Sequence, residues 1–330
     1  MACKIGPAPS PLGASNPATL PAFRREIATS DNWSDSANWS GVPDLVFGSS
    51  NLRTTNVDDI LSLTANSLQF TGVAPAFTIH VGSNSDLIFS GPGVTDNSTN
   101  QQTLINDSEG STQFTHSSAV AGLTIRNSGG TDDGSSGGET FLFNTSTAGN
   151  AIITNDGAAG RRTSAGETLF YDTASAGSAI ITNNGATSPN VGGGVAYFDG
   201  SSTAGDAMII NNGSYGHNTT GGFADFTGTS SAGNATSVNN GSAVNGGRGG
   251  TLLMSSNAGN VMIVNNGGIH GGLGGLTSFG GHADNATIYN EGGTFGGQGG
   301  QTLFFETDGE PPGLLLMTVG HLISTLPRSV

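Results

Sequence analysis

Apolar positions along this chain come in short alternating clusters separated by polar, Gly-rich stretches. The clearest cluster is Ala148-Gly149-Asn150-Ala151-Ile152-Ile153-Thr154-Asn155. It returns as AGSAIITN ending at Asn183, AGDAMIIN at Asn211, AGNATSVN at Asn239, AGNVMIVN at Asn265 and ADNATIYN at Asn290, with a weaker copy, VAGLTIRN, ending at Asn127. Successive copies are 28, 28, 28, 28, 26 and 25 residues apart. A second alternating run accompanies them: ETFLF (139–143), ETLFY (167–171), VAYFD (195–199), FADFT (223–227), TLLMS (251–255), LTSFG (276–280) and QTLFF (301–305). Alternation with period two predicts strands, and no window sustains a helical period.

Each unit thus holds two short strands and a Gly/Asn/Ser turn region, and the chain as a whole reads as all-β. Propeller blades need about 40–50 residues, and leucine-rich repeats need their own leucine and asparagine spacing. A β-solenoid, the parallel β-helix, fits: each repeat winds once and its strands pair with the next coil about 4.8 Å away. Coils of about 19–28 residues are expected, the shorter ones early. Leu68-Gln69-Phe70 and Leu87-Ile88-Phe89 are 19 residues apart, and Asn106 precedes Asn127 by 21. The expected division is a poorly ordered N-terminal segment over residues 1–30, a β-helix with an N-terminal cap over 31–305, and an atypical, more apolar tail over 306–330.

Alternation inside AIITN puts 151, 153 and 155 on one face, assigned to the interior. The last position of that face forms a column: Asn127, Asn155, Asn183, Asn211, Asn239, Asn265 and Asn290. Stacked asparagines can pass hydrogen bonds from rung to rung, whereas a buried amide without partners costs about 1–3 kcal/mol. The column is therefore read as structural. The glycines that follow, Gly157, Gly185, Gly213, Gly241, Gly267 and Gly292, are expected to take left-handed turn conformations.

Composition sharpens this picture. Gly supplies 55 of 330 residues, and charged residues make up only 10%, against about 7% and 25% in average domains. Disorder would go with high charge and few apolar residues; here the apolar residues are regular. The net charge is −15, with one lysine, Lys4, and no basic stripe, which excludes nucleic acid as a partner. Cys3 is the single cysteine, so no internal disulfide or thiolate cluster forms. Residues 1–30 lack the apolar run of a signal peptide, and no stretch is long and apolar enough for a membrane span.

DNWSDSANWSGVPD (31–44) resembles the opening of bacterial autotransporter passengers and related exported β-helix repeat proteins, and SLQF, APAFTI and DLIFSGPGV (67–94) resemble their first coils. The resemblance runs from residue 31 to about 305. It implies a β-helix exposed outside a bacterium, extracellular or at the outer-membrane surface, and assigns no residue an activity.

Candidate chemistry is sparse. The acidic doublets Asp58-Asp59 and Asp132-Asp133 point to opposite faces if they lie on strands, and Asp172, Asp199 and Asp225, placed on strands, have no matching acid in a shared column. His80, His116, His217, His270, His282 and His321 show no metal-ligand spacing and are read as surface loop residues. Arg126, Arg161 and Arg162 are read as solvated. The Gly runs 246–250, 271–275 and 296–300 lack the aspartate and the nine-residue spacing of calcium-binding repeats. Trp33 and Trp39 are assigned to the cap over the first coil. The expectation is a monomeric, non-catalytic adhesin-like rod with no catalytic residue, metal or cofactor and with a surface glycan or a host or matrix protein as partner. The alternative is a carbohydrate-active β-helix enzyme, a polysaccharide lyase or glycoside hydrolase, which a carboxylate cluster in a groove beside the strands would favour.

Overall fold

A computed structural model describes residues 23–25, 32–33, 44–49, 54–305 and 315–318. The chain is a parallel β-solenoid of about 10 coils of roughly 26 residues. Two sheets run its length. Among the described residues the larger has 13 strands and the smaller 10. Each coil gives one strand to each sheet, as with Glu139–Leu142 in the larger and Ile152–Asn155 in the smaller. A third side is held only by single-residue bridges, such as Ala119 to Thr147 to Ser175. The larger sheet extends beyond the repeat: Phe23–Arg25 pairs in parallel with Asp44–Phe47, and Leu315–Thr318 closes the far end antiparallel to Gln301–Phe304.

Local chemistry makes the corners. After the larger-sheet strand the chain turns through a left-handed residue, Asn144 (φ 58), and before the smaller-sheet strand through Gly149 (φ 62). The Thr147 hydroxyl accepts the Gly149 N–H at 3.0 Å, and Ser175/Gly177, Thr203/Gly205 and Ser231/Gly233 repeat this turn. The hydroxyl satisfies an amide the corner would leave unpaired.

The glycines after the Asn column do something else. Gly157 and its equivalents are absent from the left-handed set, which corrects the turn assignment. Their side chain is missing because the neighbouring coil is too close: a Cβ on Gly157 would lie 2.3 Å from the Gly185 carbonyl oxygen. Gly166 is tighter still, at 2.0 Å from the Asn127 carbonyl oxygen. The Gly-rich connectors thus lie flat on their neighbours and on the Asn corner.

The core is a set of stacked columns. Phe170, Phe198 and Phe226 lie on consecutive rungs with ring centroids 4.5 and 4.4 Å apart. This follows from the inward position shared by every larger-sheet strand: register transmits identity, so like residues stack. Trp33 is fully buried at the N-terminal end, its ring centroid 6.3 Å from that of Phe47, and its backbone N–H donates to Val57 O at 2.8 Å. Trp39 lies outside the described residues.

The early register differs from the sequence expectation. Leu68 pairs with Val94 and Phe89 with Ala65, so Leu68–Phe70 and Leu87–Phe89 do not share a column. The cause is two long strands, Ser62–Phe70 and Asp86–Asp96, with a register shift between Ala65 and Ser67. A run of nine or more residues with an internal shift presents the same motif at two places in the coil.

Candidate functional site

Two features stand out: the buried Asn column and the outer face of the larger sheet. The column begins one coil earlier than Asn127, at Asn106. Asn127, Asn155, Asn183, Asn211, Asn239 and Asn265 are fully buried, and Asn290 is part-exposed. Each Nδ2 donates to the next Oδ1 at 2.7–2.8 Å. Carbonyls fix the amide orientation: Asn127 Nδ2 also donates to Glu167 O and Asn155 Nδ2 to Val195 O. On the other side, Thr140 and Thr168 hydroxyls donate to Asn127 and Asn155 Oδ1 at 2.8 Å. The threonines recur at Thr112, Thr277 and Thr302. Each of these buried amides thus finds a partner within the solenoid, and the column is a structural element.

A second amide ladder runs outside it. Asn266, Asn240, Asn212 and Asn184 each donate toward the N terminus, and Asn184 ends on Asp156 Oδ1. Asp156 Oδ2 accepts from Arg126 Nε at 2.5 Å. A carboxylate only accepts, so it sets the ladder's direction.

The outer face of the larger sheet is where repetition breaks down. Outward positions on and just after its strands are Glu139, Phe141 and Phe143, followed on the next coil by Glu167, Leu169 and Tyr171, then Val195 (itself buried), Tyr197 and Asp199. Phe143 stacks on Phe141 at 5.7 Å and on Tyr171 at 5.4 Å, and Tyr171 meets Tyr197 edge-on at 6.1 Å. These four rings are part-exposed. The Tyr197 and Thr227 hydroxyls lie 2.9 Å apart, and Thr227 donates to Asp199 at 3.0 Å.

Acids edge this stripe. Glu139 and Glu167 are paired neighbours across one rung, and Asp86 stands two rungs before Glu139, with Ser111 between them donating to it at 2.5 Å. Asp86, Glu109 and Glu139 line a cleft of about 500 Å³ with Ser111, Gln113 and Phe141. Burial pushes the Glu139 and Glu167 carboxyls above the ordinary range, and the neighbouring acids Asp86 and Glu139 add to it. Desolvation also raises Tyr171 and Asp225.

Glu139 and Glu167 were missed in the sequence, although both open the same repeat position in ETFLF and ETLFY. Other candidates fall elsewhere. Asp58 is buried while Asp132 and Asp133 are exposed. Asp172 sits on a left-handed corner (φ 57), not a strand, and Asp199 follows its strand. Asp225 shares its column with Tyr197 and Leu253. His80 is no loop residue: it lies on the strand Thr78–Val81 with Nδ1 3.1 Å from Asp107. His116, His217, His270 and His282 are exposed, as are Arg161 and Arg162, and His321 lies outside the described residues.

Among the described residues, no group of three His, Cys, Asp or Glu side chains is placed to hold a metal ion. No helix there is long and apolar enough to cross a membrane. No protein-family model, no curated protein and no solved structure matches the chain.

Proposed function

We propose that this chain is a non-catalytic, exported β-solenoid of the adhesin-like passenger kind, displayed at or released from a bacterial surface, and that it binds its partner across the outer face of the larger sheet. The carrying observation is the ring stripe Phe141, Phe143, Tyr171 and Tyr197 on the solvent side. The solenoid stacks its core rings inside, so burial does not call for these four. Part-exposed rings that run on from one coil to the next on the outside of a folded protein mark a place of contact. The Trp33-to-Trp39 segment that resembles passenger openings supports the export half of the reading.

The cleft favours a second reading, a carbohydrate-active enzyme. Glu139 and Glu167 stand one rung apart, about 4.8 Å, close to the 5–5.5 Å separation of a retaining glycosidase pair. Such a pair must flank the bond it cleaves. Two carboxyls side by side on one flat sheet face point the same way, which suits contact better than cleavage.

The test is a panel of plant, algal and bacterial polysaccharides and matrix proteins, offered with calcium to the purified chain. Retention without turnover, lost in Phe143→Ser/Tyr171→Ser, is the expected result. Turnover abolished by Glu139→Gln or Glu167→Gln establishes the enzyme instead. Fractionation of the host checks export; a wholly cytoplasmic product overturns that half.

A further inference from the structure

The chemistry around the ring stripe is one-sided. Glu139 and Glu167 run along one edge, and Asp199 and Asp225 close the C-terminal end. The N-terminal end opens on the acidic cleft of Asp86 and Glu109. The arginines whose side chains are described lie elsewhere: Arg126 on the smaller sheet, and Arg161, Arg162 and Arg248 in the Gly-rich connectors. Among the described residues, the carboxylates crowded against each other and against rings have no counter-charge on this face. Burial, with repulsion from Asp86 on Glu139 and from Glu139 on Glu167, already holds these carboxyls partly against ionisation, and a bound cation offsets that repulsion.

Phe143 is already stacked on Phe141 and Tyr171, so a partner meets the row at the ring faces it leaves open, and aromatic rings beside carboxylates suit one side chain above others. A guanidinium stacks on a ring with its face and donates a two-pronged hydrogen bond to a carboxylate from its edge. An ammonium engages the carboxylate but stacks poorly. We propose that the outer face of the larger sheet, from Phe141 to Asp225, docks an arginine-rich basic segment of a partner protein. This rests on the reading of that face as the binding surface and supplies its partner's chemistry.

The experiment measures binding of fluorescein-labelled octa-arginine, octa-lysine and a glucosamine oligomer to the full chain by anisotropy at two salt concentrations. Three double variants are compared at a temperature where their melting curves show each to be folded. Glu139→Gln/Glu167→Gln removes two charges from the face. Phe143→Ser/Tyr171→Ser removes rings at constant charge. Asp206→Asn/Glu291→Gln removes two exposed charges on the side of the smaller sheet. The expected result is octa-arginine binding weakened about tenfold by either face variant and less than about twofold by the control, with octa-lysine about fivefold weaker than octa-arginine and indifferent to the rings. If the control weakens binding as much as the glutamate pair and the rings change nothing, only net charge is at work and the proposal falls. Ring-dependent binding of the glucosamine oligomer alone replaces the peptide with a cationic glycan. If neither cation depends on the rings but a neutral glycan or matrix protein does, the binding face stands and this inference fails. If nothing offered depends on the rings, the binding face itself is lost.

Discussion

The Asn corner and the outer face of the larger sheet share the same coils, yet they follow opposite rules. Inside, one residue type repeats from Asn106 to Asn290 because each amide is the partner of the next. Outside, Glu139, Glu167, Val195 and Phe223 follow one another in a single column with nothing forcing them to agree. Identity is conserved from rung to rung where hydrogen bonds close on themselves, and it is free to drift where solvent is the neighbour. Specificity for a partner can therefore accumulate only on the outside.

The inner rule is most easily broken where the backbone of one coil presses on the next. Gly166→Ala forces a Cβ to 2.0 Å from the Asn127 carbonyl oxygen, and the loss should exceed about 4 kcal/mol or abolish soluble protein. Gly192 has open space around it, so Gly192→Ala should change stability by less than about 0.5 kcal/mol in the same denaturant titration.

The column also has a flawed end. Two rungs before Asn106, its register position holds Val81 and then Asp58. Asp58 is buried, with Oδ1 accepting the Ile60 N–H at 3.1 Å and Oδ2 unpartnered. Burial raises its pKa from 3.8 to about 7; the Ile60 hydrogen bond opposes this, and Asp59 and Asp86 add to it. Between those values the folded chain keeps a proton that the unfolded chain has released. Stability is therefore full below the lower value, falls as pH rises through the window, and is flat above it, for a total of about 4 kcal/mol. Asp58→Asn should flatten the profile and raise the melting temperature at pH 8. An unchanged pH profile in that variant would show that Asp58 ionises freely.

Within the column, not all rungs are equal. Asn127 has hydroxyls of Thr140 and Thr168 beside it, whereas Ala196 occupies the corresponding threonine position beside Asn183. Asn127→Ala should cost about 3 kcal/mol and Asn183→Ala about 1–2 kcal/mol, read from chemical denaturation. Ala196→Thr restores a donor near Asn183 and should add about 0.5–1.5 kcal/mol if it fits. Equal costs at Asn127 and Asn183 would remove the hydroxyls from the account.

The outside should be permissive. Phe143→Ser and Tyr171→Ser each forfeit a cross-strand ring contact, about 1 kcal/mol or less, while altering partner binding. Arg126→Ala, which breaks the exposed pair with Asp156, should cost less still, within about 0.5 kcal/mol.

The sequence by itself determined the solenoid, its coil length over residues 127–290, and which residues of the Asn-bearing strands face inward. These are properties of period, and period survives in one dimension. The Asn column was legible for the same reason, since its members recur at one place in every repeat. Tertiary structure alone decided what meets across the coil. Thr168 is thirteen residues from the Asn155 it supports, on the other sheet, and only the closing of the coil brings them together. Asp86 and Glu109 joined Glu139 at the cleft because register stacked coils whose early lengths are irregular, whereas Glu139 and Glu167 pair at the regular 28-residue step. The glycines show the same division: the sequence marked where they fall, but a left-handed corner and a backbone pressed against its neighbour both demand glycine, and only the distance to the next coil tells them apart.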